Sequence, residues 1–126
     1  MNQNLNGGEV VRVLVVDDAM FMRNSLKMIL ERNDFEVVGM ASYGLEAVSQ
    51  YKSLKPDVVT MDITMPEMDG LEALRAIRAM DSQAKIVMIS AVGKEEAVRE
   101  AVMSGAKNFI VKPFQEDKVL AVMRKL

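Results

Sequence analysis

The sequence contains no cysteine and no histidine. Without cysteine there is no disulfide framework, no thiolate nucleophile and no Cys-based zinc site. Without histidine there is no Ser-His-Asp triad, no imidazole general base and no imidazole metal ligand. Chemistry therefore falls to carboxylates, hydroxyls, amines or a hard cation held by oxygen. A basic excess is also missing. Sixteen Lys and Arg against eighteen Asp and Glu give a formal net charge of −2. Nothing in that balance displaces counterions from a nucleic-acid backbone, so no direct nucleic-acid binding is expected. No apolar run approaches the ~20 residues that span a bilayer, so no membrane insertion is expected. The opening Met1-Asn2-Gln3-Asn4-Leu5-Asn6-Gly7-Gly8 is polar and lacks the apolar centre of a signal peptide. A cytoplasmic protein is the expectation.

What is present is enough for one packed core. The chain has 126 residues, 50% of them hydrophobic and 27% charged, which suits a single globular domain. Residues 1–8 read as a flexible lead-in and residues 9–126 as the domain. Val10 to Val16 is an apolar run broken only by Arg12 and ending in Asp17-Asp18, a first strand. Ala19 to about Asn33 carries Met22, Leu26, Ile29 and Leu30 at helical spacing, with Asp18 as the expected N-cap. Glu36 to Ala41 is a weaker second strand. Leu45, Val48 and Tyr51 mark a second helix that Pro56 stops.

Asp57 to Met61 is a third strand and runs into Asp62. Helix three begins at Gly70, with Leu71, Leu74, Ile77 and Met80 inward. Lys85 to Ser90 is strand four. Helix four starts near Lys94, with Ala97, Val98, Ala101 and Val102 inward and Gly105 as C-cap. Lys107 to Val111 is strand five, closed by Lys112-Pro113-Phe114. A fifth helix buries Val119, Val122, Met123 and Leu126. The twelve methionines read mostly as flexible core filler. Strands alternating with helices predict an α/β fold, (βα)5, with a parallel five-stranded sheet covered on both faces.

In a parallel sheet every strand C-terminus lies on one edge. That edge would hold Asp17 and Asp18 after strand one, Asp62 after strand three, Ser90 after strand four and Lys112 after strand five. Each has an ordinary reading: a helix cap, a loop acid, a hydroxyl bonded to backbone, a solvated lysine. Their joint occurrence at strand ends is hard to obtain from ordinary causes. Carboxylates on neighbouring strands would repel one another or bind a cation, and an all-oxygen ligand set suits Mg2+ or Mn2+. An acid cluster with a metal and a lysine suits phosphoryl transfer to a carboxylate. Chemistry alone leaves Asp17, Asp18 and Asp62 competing as nucleophile. Placement favours Asp62, alone on its strand, with Asp17-Asp18 as a two-pronged cation site.

Leu14-Val15-Val16-Asp17-Asp18, Met61-Asp62-Ile63-Thr64-Met65-Pro66-Glu67-Met68-Asp69-Gly70, Ser90-Ala91 and Lys112-Pro113-Phe114 together resemble the response-regulator receiver domain. The likeness covers roughly residues 10–126 and is nearest to the single-domain chemotaxis type. It implies a flavodoxin-like doubly wound sheet of strand order 2-1-3-4-5. It implies that Asp62 accepts a phosphoryl group from a sensor histidine kinase. Asp17, Asp18, Asp62 and the backbone carbonyl of Thr64 would hold the metal. Ser90, Ala91 and Lys112 would bind the phosphoryl group, and Phe109 would be the aromatic switch. Pro66, Gly70 and Pro113 would shape the loops, with Lys112-Pro113 cis.

Thr64 and Val92 would tune the lifetime of the acyl phosphate. Val92 has no polar group to orient water, so fast self-hydrolysis is not expected and a separate phosphatase would be needed. An output protein, such as a flagellar switch, would read the surface of helix four, strand five and helix five. A monomer is expected that is no enzyme in the usual sense, beyond promoting its own phosphorylation and dephosphorylation. The weighed alternatives are a receiver cut from a longer regulator, a haloacid-dehalogenase-like phosphatase and a flavodoxin-type binder. The phosphatase would want an acid where Thr64 stands. The flavodoxin-type binder would want a glycine-rich phosphate loop, which is absent.

Overall fold

The computed structural model describes residues 9–126, so the lead-in assigned to residues 1–8 lies outside the described residues. Five strands alternate with five helices: β1 Val11–Val16, α1 Met20–Glu31, β2 Phe35–Ala41, α2 Gly44–Leu54, β3 Val58–Met61, α3 Gly70–Met80, β4 Ile86–Ser90, α4 Glu95–Met103, β5 Asn108–Val111 and α5 Glu116–Met123. The strands pair in parallel in the order β2-β1-β3-β4-β5, as expected.

Right-handed crossovers then determine the layers. The chain steps from β1 to β2 one way across the sheet and from β2 onward the other way. The helices of the two directions must therefore lie on opposite faces. Val13 and Val15 pack with Leu26, Ile29 and Leu30 of α1 and with Val119 and Val122 of α5. Leu14 and Val16 point the other way, to Ala47 and Tyr51 of α2, Leu74 and Ile77 of α3 and Ala101 of α4. Burial on both faces is why β1, β3 and β4 read as continuous apolar runs.

Several side chains depart from their expected places. Asp18 is not the cap of α1. Ala19 occupies the N-cap position, and the carboxylate that accepts its backbone N–H is that of Asp17, at 2.9 Å. Val102 is 56% exposed. Only Ala101 of α4 is fully buried, and Val102 lies about 100° further round the helix, beyond the edge of its contact. Met80, the last residue of α3, is exposed beyond the contact made by Ile77, and Leu45 is exposed in the first turn of α2. The methionines do not share one environment. Met61, Met65, Met88 and Met123 are buried, whereas Met20, Met28, Met80 and Met103 are exposed, so core filler describes only some of them.

Thr60 sits in the middle of β3, buried, and its hydroxyl has no hydrogen-bond partner among the described residues. An unpaired buried hydroxyl costs more than the apolar group of the same shape that could replace it. Thr60→Val is therefore expected to stabilise the protein by about 1 kcal/mol, raising the thermal midpoint by roughly 3–5 °C. A calorimetric midpoint at or below that of the wild type would show that the hydroxyl is satisfied in solution.

Candidate functional site

The sheet order reverses between β1 and β3. The loops after these two strands leave toward opposite faces and open a crevice at the carboxyl edge, the ligand-binding position of doubly wound sheets. Asp17-Asp18 and Asp62 flank that crevice. Asp17 N donates to the Ala41 carbonyl at 3.0 Å, and Asp62 N donates to the Val16 carbonyl at 3.0 Å, so ladder-like bonds carry the sheet up to the acids themselves. One carboxylate oxygen from each of Asp17, Asp18 and Asp62 lies within 4.8 Å of the others. Asp17 and Asp62 are buried and Asp18 is exposed.

Lys112 completes the cluster from the end of β5. Its Nζ donates to Asp17 Oδ2 at 2.6 Å and to Asp62 Oδ2 at 3.3 Å. Burial works against the ammonium charge. The hydrogen bonds and negative charges of Asp17 and Asp62 outweigh it and raise the Lys112 pKa above the ordinary lysine value. The opposite oxygen of Asp62, Oδ1, accepts from Ile63 N at 2.7 Å. Three acids facing one ammonium leave an excess of negative charge, and all donors are hard oxygens. The residues present therefore fit a hard divalent cation.

Ser90 is buried at the end of β4. Its Oγ accepts from Val92 N at 3.2 Å, and its carbonyl accepts from Lys112 N at 2.9 Å, joining β4 to the lysine-bearing loop. Ala91 and Thr64 are exposed on the loops after β4 and β3, and Val92 is half-buried against the α2–α4 layer. Phe109 is half-buried on β5 and packs on the same layer. The Lys112-Pro113 bond is cis. Pro66 and Pro113 are exposed in the two loops.

The loop from Asp62 to α3 is held from several sides. Gly70 N donates to the Ile63 carbonyl at 2.7 Å. Asp69 caps α3 by accepting from Glu72 N at 2.8 Å, while Glu72 returns a carboxylate to Asp69 N at 3.0 Å. This capping box is visible as Asp-x-x-Glu in the sequence. Gly44 admits the loop from the α2 side, since a Cβ there would lie 2.1 Å from the Met68 carbonyl oxygen. Sequence reasoning also missed Arg23, whose Nη1 donates to the Asp17 carbonyl at 2.7 Å and ties α1 to the acid-bearing loop. No local pattern marks that contact.

The pattern described as "Response regulator receiver domain" matches residues 13–124. The chain is 57% identical over 116 residues to the chemotaxis protein CheY of Listeria monocytogenes, covering 92% of this chain and 98% of that one. It is 56% identical over 114 residues to the chemotaxis protein CheY of Bacillus subtilis, covering 90% and 95%. Among solved structures, a chain of the CheX-CheY-BeF3-Mg+2 complex from Borrelia burgdorferi superposes with a TM-score of 0.95 at 41% identity, covering 98% of this chain and 94% of that one.

Proposed function

The chain belongs to the response regulator receiver family, and from that premise we propose that it is a phosphorylation-controlled signalling module whose phosphoacceptor is Asp62. The observation that carries the reading is Asp62 beside Asp17, Asp18 and Lys112 at the switch point of the sheet. An Asp62 carboxylate oxygen attacks the phosphorus of the donor. The bond to the donor's nitrogen or oxygen breaks, and an acyl phosphate forms. The donor is a phosphohistidine on a sensor histidine kinase, or acetyl phosphate in its place.

Mg2+ or Mn2+, held by Asp17, Asp18, Asp62 and the Thr64 backbone carbonyl, would supply positive charge to the phosphoryl oxygens when bound. Lys112 already stands between the two buried acids and neutralises a further oxygen. The Ser90 hydroxyl, which among the described residues pairs only by accepting from Val92 N, is free to donate to the incoming group. Asp62 Oδ1 keeps the Ile63 N–H, which orients the carboxylate for attack. Pro66 and Gly70 hold the loop after β3, Pro113 shapes the loop after β5, and Ala91 contributes backbone beside the phosphoryl group.

The reading surface is the α4–β5–α5 face. Val102, Met103 and Val111 expose apolar area there, and Phe109 lies beneath it as the switch ring. A partner such as a flagellar switch protein would dock there, which makes chemotaxis the pathway and the cytoplasm the place. The protein acts as a monomer without nucleic acid and is no enzyme in the usual sense, beyond promoting its own phosphorylation and dephosphorylation. Thr64 and Val92 flank the path of attacking water. Val92 has no polar atom on its side chain to orient that water, so hydrolysis is slow and a separate phosphatase ends the signal. A phosphoryl half-life that lengthened sharply in Val92→Ala would count against this role.

The test is intact mass after acetyl phosphate treatment, with and without Mg2+, of wild type and Asp62→Asn. One added phosphoryl group is expected for the wild type, dependent on Mg2+ and absent from the variant. Labelling of Asp62→Asn to the wild-type extent would mean another acceptor.

A further inference from the structure

At the opposite edge of the sheet from the acids, the last turns of α2 and α3 border an open, solvent-facing cavity of about 540 Å³. Its walls are Tyr51, Lys52, Lys55, Pro56, Met80 and Asp81. None of these residues belongs to the phosphoryl site. The volume is that of a small-molecule site.

The charges around it do not cancel. The Asp81 carboxylate is already engaged on both oxygens. Oδ2 accepts from the Tyr51 hydroxyl at 2.6 Å, and Oδ1 accepts from Gln83 N at 2.9 Å. These bonds, with Arg78 nearby, hold the Asp81 pKa below the ordinary carboxylate value. Tyr51 stays neutral, because burial and then the bond to Asp81 push its pKa well above the ordinary phenol value. Neither Lys52 nor Lys55 makes an ion pair among the described residues. Two ammonium-bearing side chains three residues apart therefore line the cavity against one carboxylate, Asp81, so its side chains carry a net positive charge.

The rest of the wall is apolar and fixed. The Tyr51 ring is buried, Pro56 is buried, and Met80 exposes 39% of its surface, enough to offer its thioether to a flat ring. Lysine stems add apolar length below their charged ends. The floor is pre-organised by Arg12. Its Nη1 donates to the Lys55 carbonyl at 2.9 Å, and its backbone N donates to Asp57 Oδ2 at 2.8 Å. Lys55 itself is held in the left-handed region, φ 49°, as the C-cap of α2.

We propose that this cavity between α2 and α3 is a second ligand site, specific for a small aromatic carboxylate. The carboxylate lies between Lys52 and Lys55, and the ring lies against Met80, Pro56 and Tyr51. The site is independent of the phosphoryl reading, because it shares no residue with the acid cluster.

The probe is 2-naphthoate, titrated into the full chain and followed by amide NMR, with the uncharged 2-naphthamide as the comparison. Saturable shifts are expected at residues 51–56 and 80–81 and not at the amides of residues 17, 18 and 62. The amide analogue should bind at least tenfold more weakly. The double variant Lys52→Gln with Lys55→Gln should lose at least tenfold in affinity while unfolding at nearly the wild-type temperature. The idea is overturned by the absence of saturable shifts at these residues. Equal affinity for the two probes, or undiminished binding by the double variant, would also overturn it, leaving the lysines as partners of the α2 dipole only.

Discussion

Gly70→Ala is expected to lower stability by about 2–4 kcal/mol, roughly 10 °C in thermal midpoint, and to slow labelling by acetyl phosphate severely. A Cβ on Gly70 would stand 1.8 Å from the Asp62 carbonyl oxygen, 2.7 Å from its carbon and 2.8 Å from Ile63 Cα. All three are backbone atoms, so no side chain can rotate aside. The backbone must separate, breaking the 2.7 Å bond from Gly70 N to the Ile63 carbonyl. Ile63 N is also the donor that orients Asp62 Oδ1, so the strain falls directly on the Asp62 carboxylate. Gly93→Ala is the control. The atoms nearest its Cβ would be the Val111 methyls at 3.0 Å, on a half-exposed side chain that can give, and it should cost less than about 1 kcal/mol. Denaturant midpoints and labelling rates of the two variants check the contrast. A Gly70→Ala protein with both values unchanged would mean that the loop is far softer than this packing implies.

What the sequence made legible follows physical rules that act locally. The apolar runs before Asp18 and Asp62 identify β1 and β3 because parallel strands bury both faces. The carboxyl edge then collects Asp17, Asp18, Asp62, Ser90 and Lys112 wherever the strands pair in parallel. The order in which strands pair is different in kind. Nothing in the periodicity of β1 says whether β2 or β3 lies beside it, and the order 2-1-3-4-5 came from family likeness before the structure bore it out.

Local rules also misassigned one acid. Asp suits an N-cap, and the sequence holds two in a row. The chain spends the first, Asp17, on Ala19 N, which leaves Asp18 turned outward. Contacts between distant segments were not legible at all. Tyr51 meets Asp81 and Arg12 meets Lys55 only after the sheet has formed, and no spacing encodes them. The exposure of Val102 was missed for a related reason. Helical spacing gives a face, but the width of the contact depends on what the helix covers.

Lys112→Ala is expected to destabilise the metal-free protein by about 2–4 kcal/mol, because removing one partner of a buried ion pair leaves the other uncompensated. Here two buried carboxylates share the ammonium, at 2.6 and 3.3 Å. The dependence on pH has a definite sign. The Lys112 pKa is raised in the folded state, so its contribution is fully present below the ordinary lysine value of about 10.4. That contribution is lost as pH rises through the folded value. Urea unfolding in chelator should therefore give a constant deficit for the variant from pH 7 to about 10, narrowing above it. Added Mg2+ should close part of the deficit at neutral pH, since a cation bound only by the folded state stabilises it by mass action and supplies the charge the variant has lost. A variant as stable as the wild type in chelator at pH 7 would mean that solvent, not Lys112, carries the compensation of Asp17 and Asp62. A deficit untouched by Mg2+ would separate the lysine's structural role from the metal-binding role assigned to the same acids.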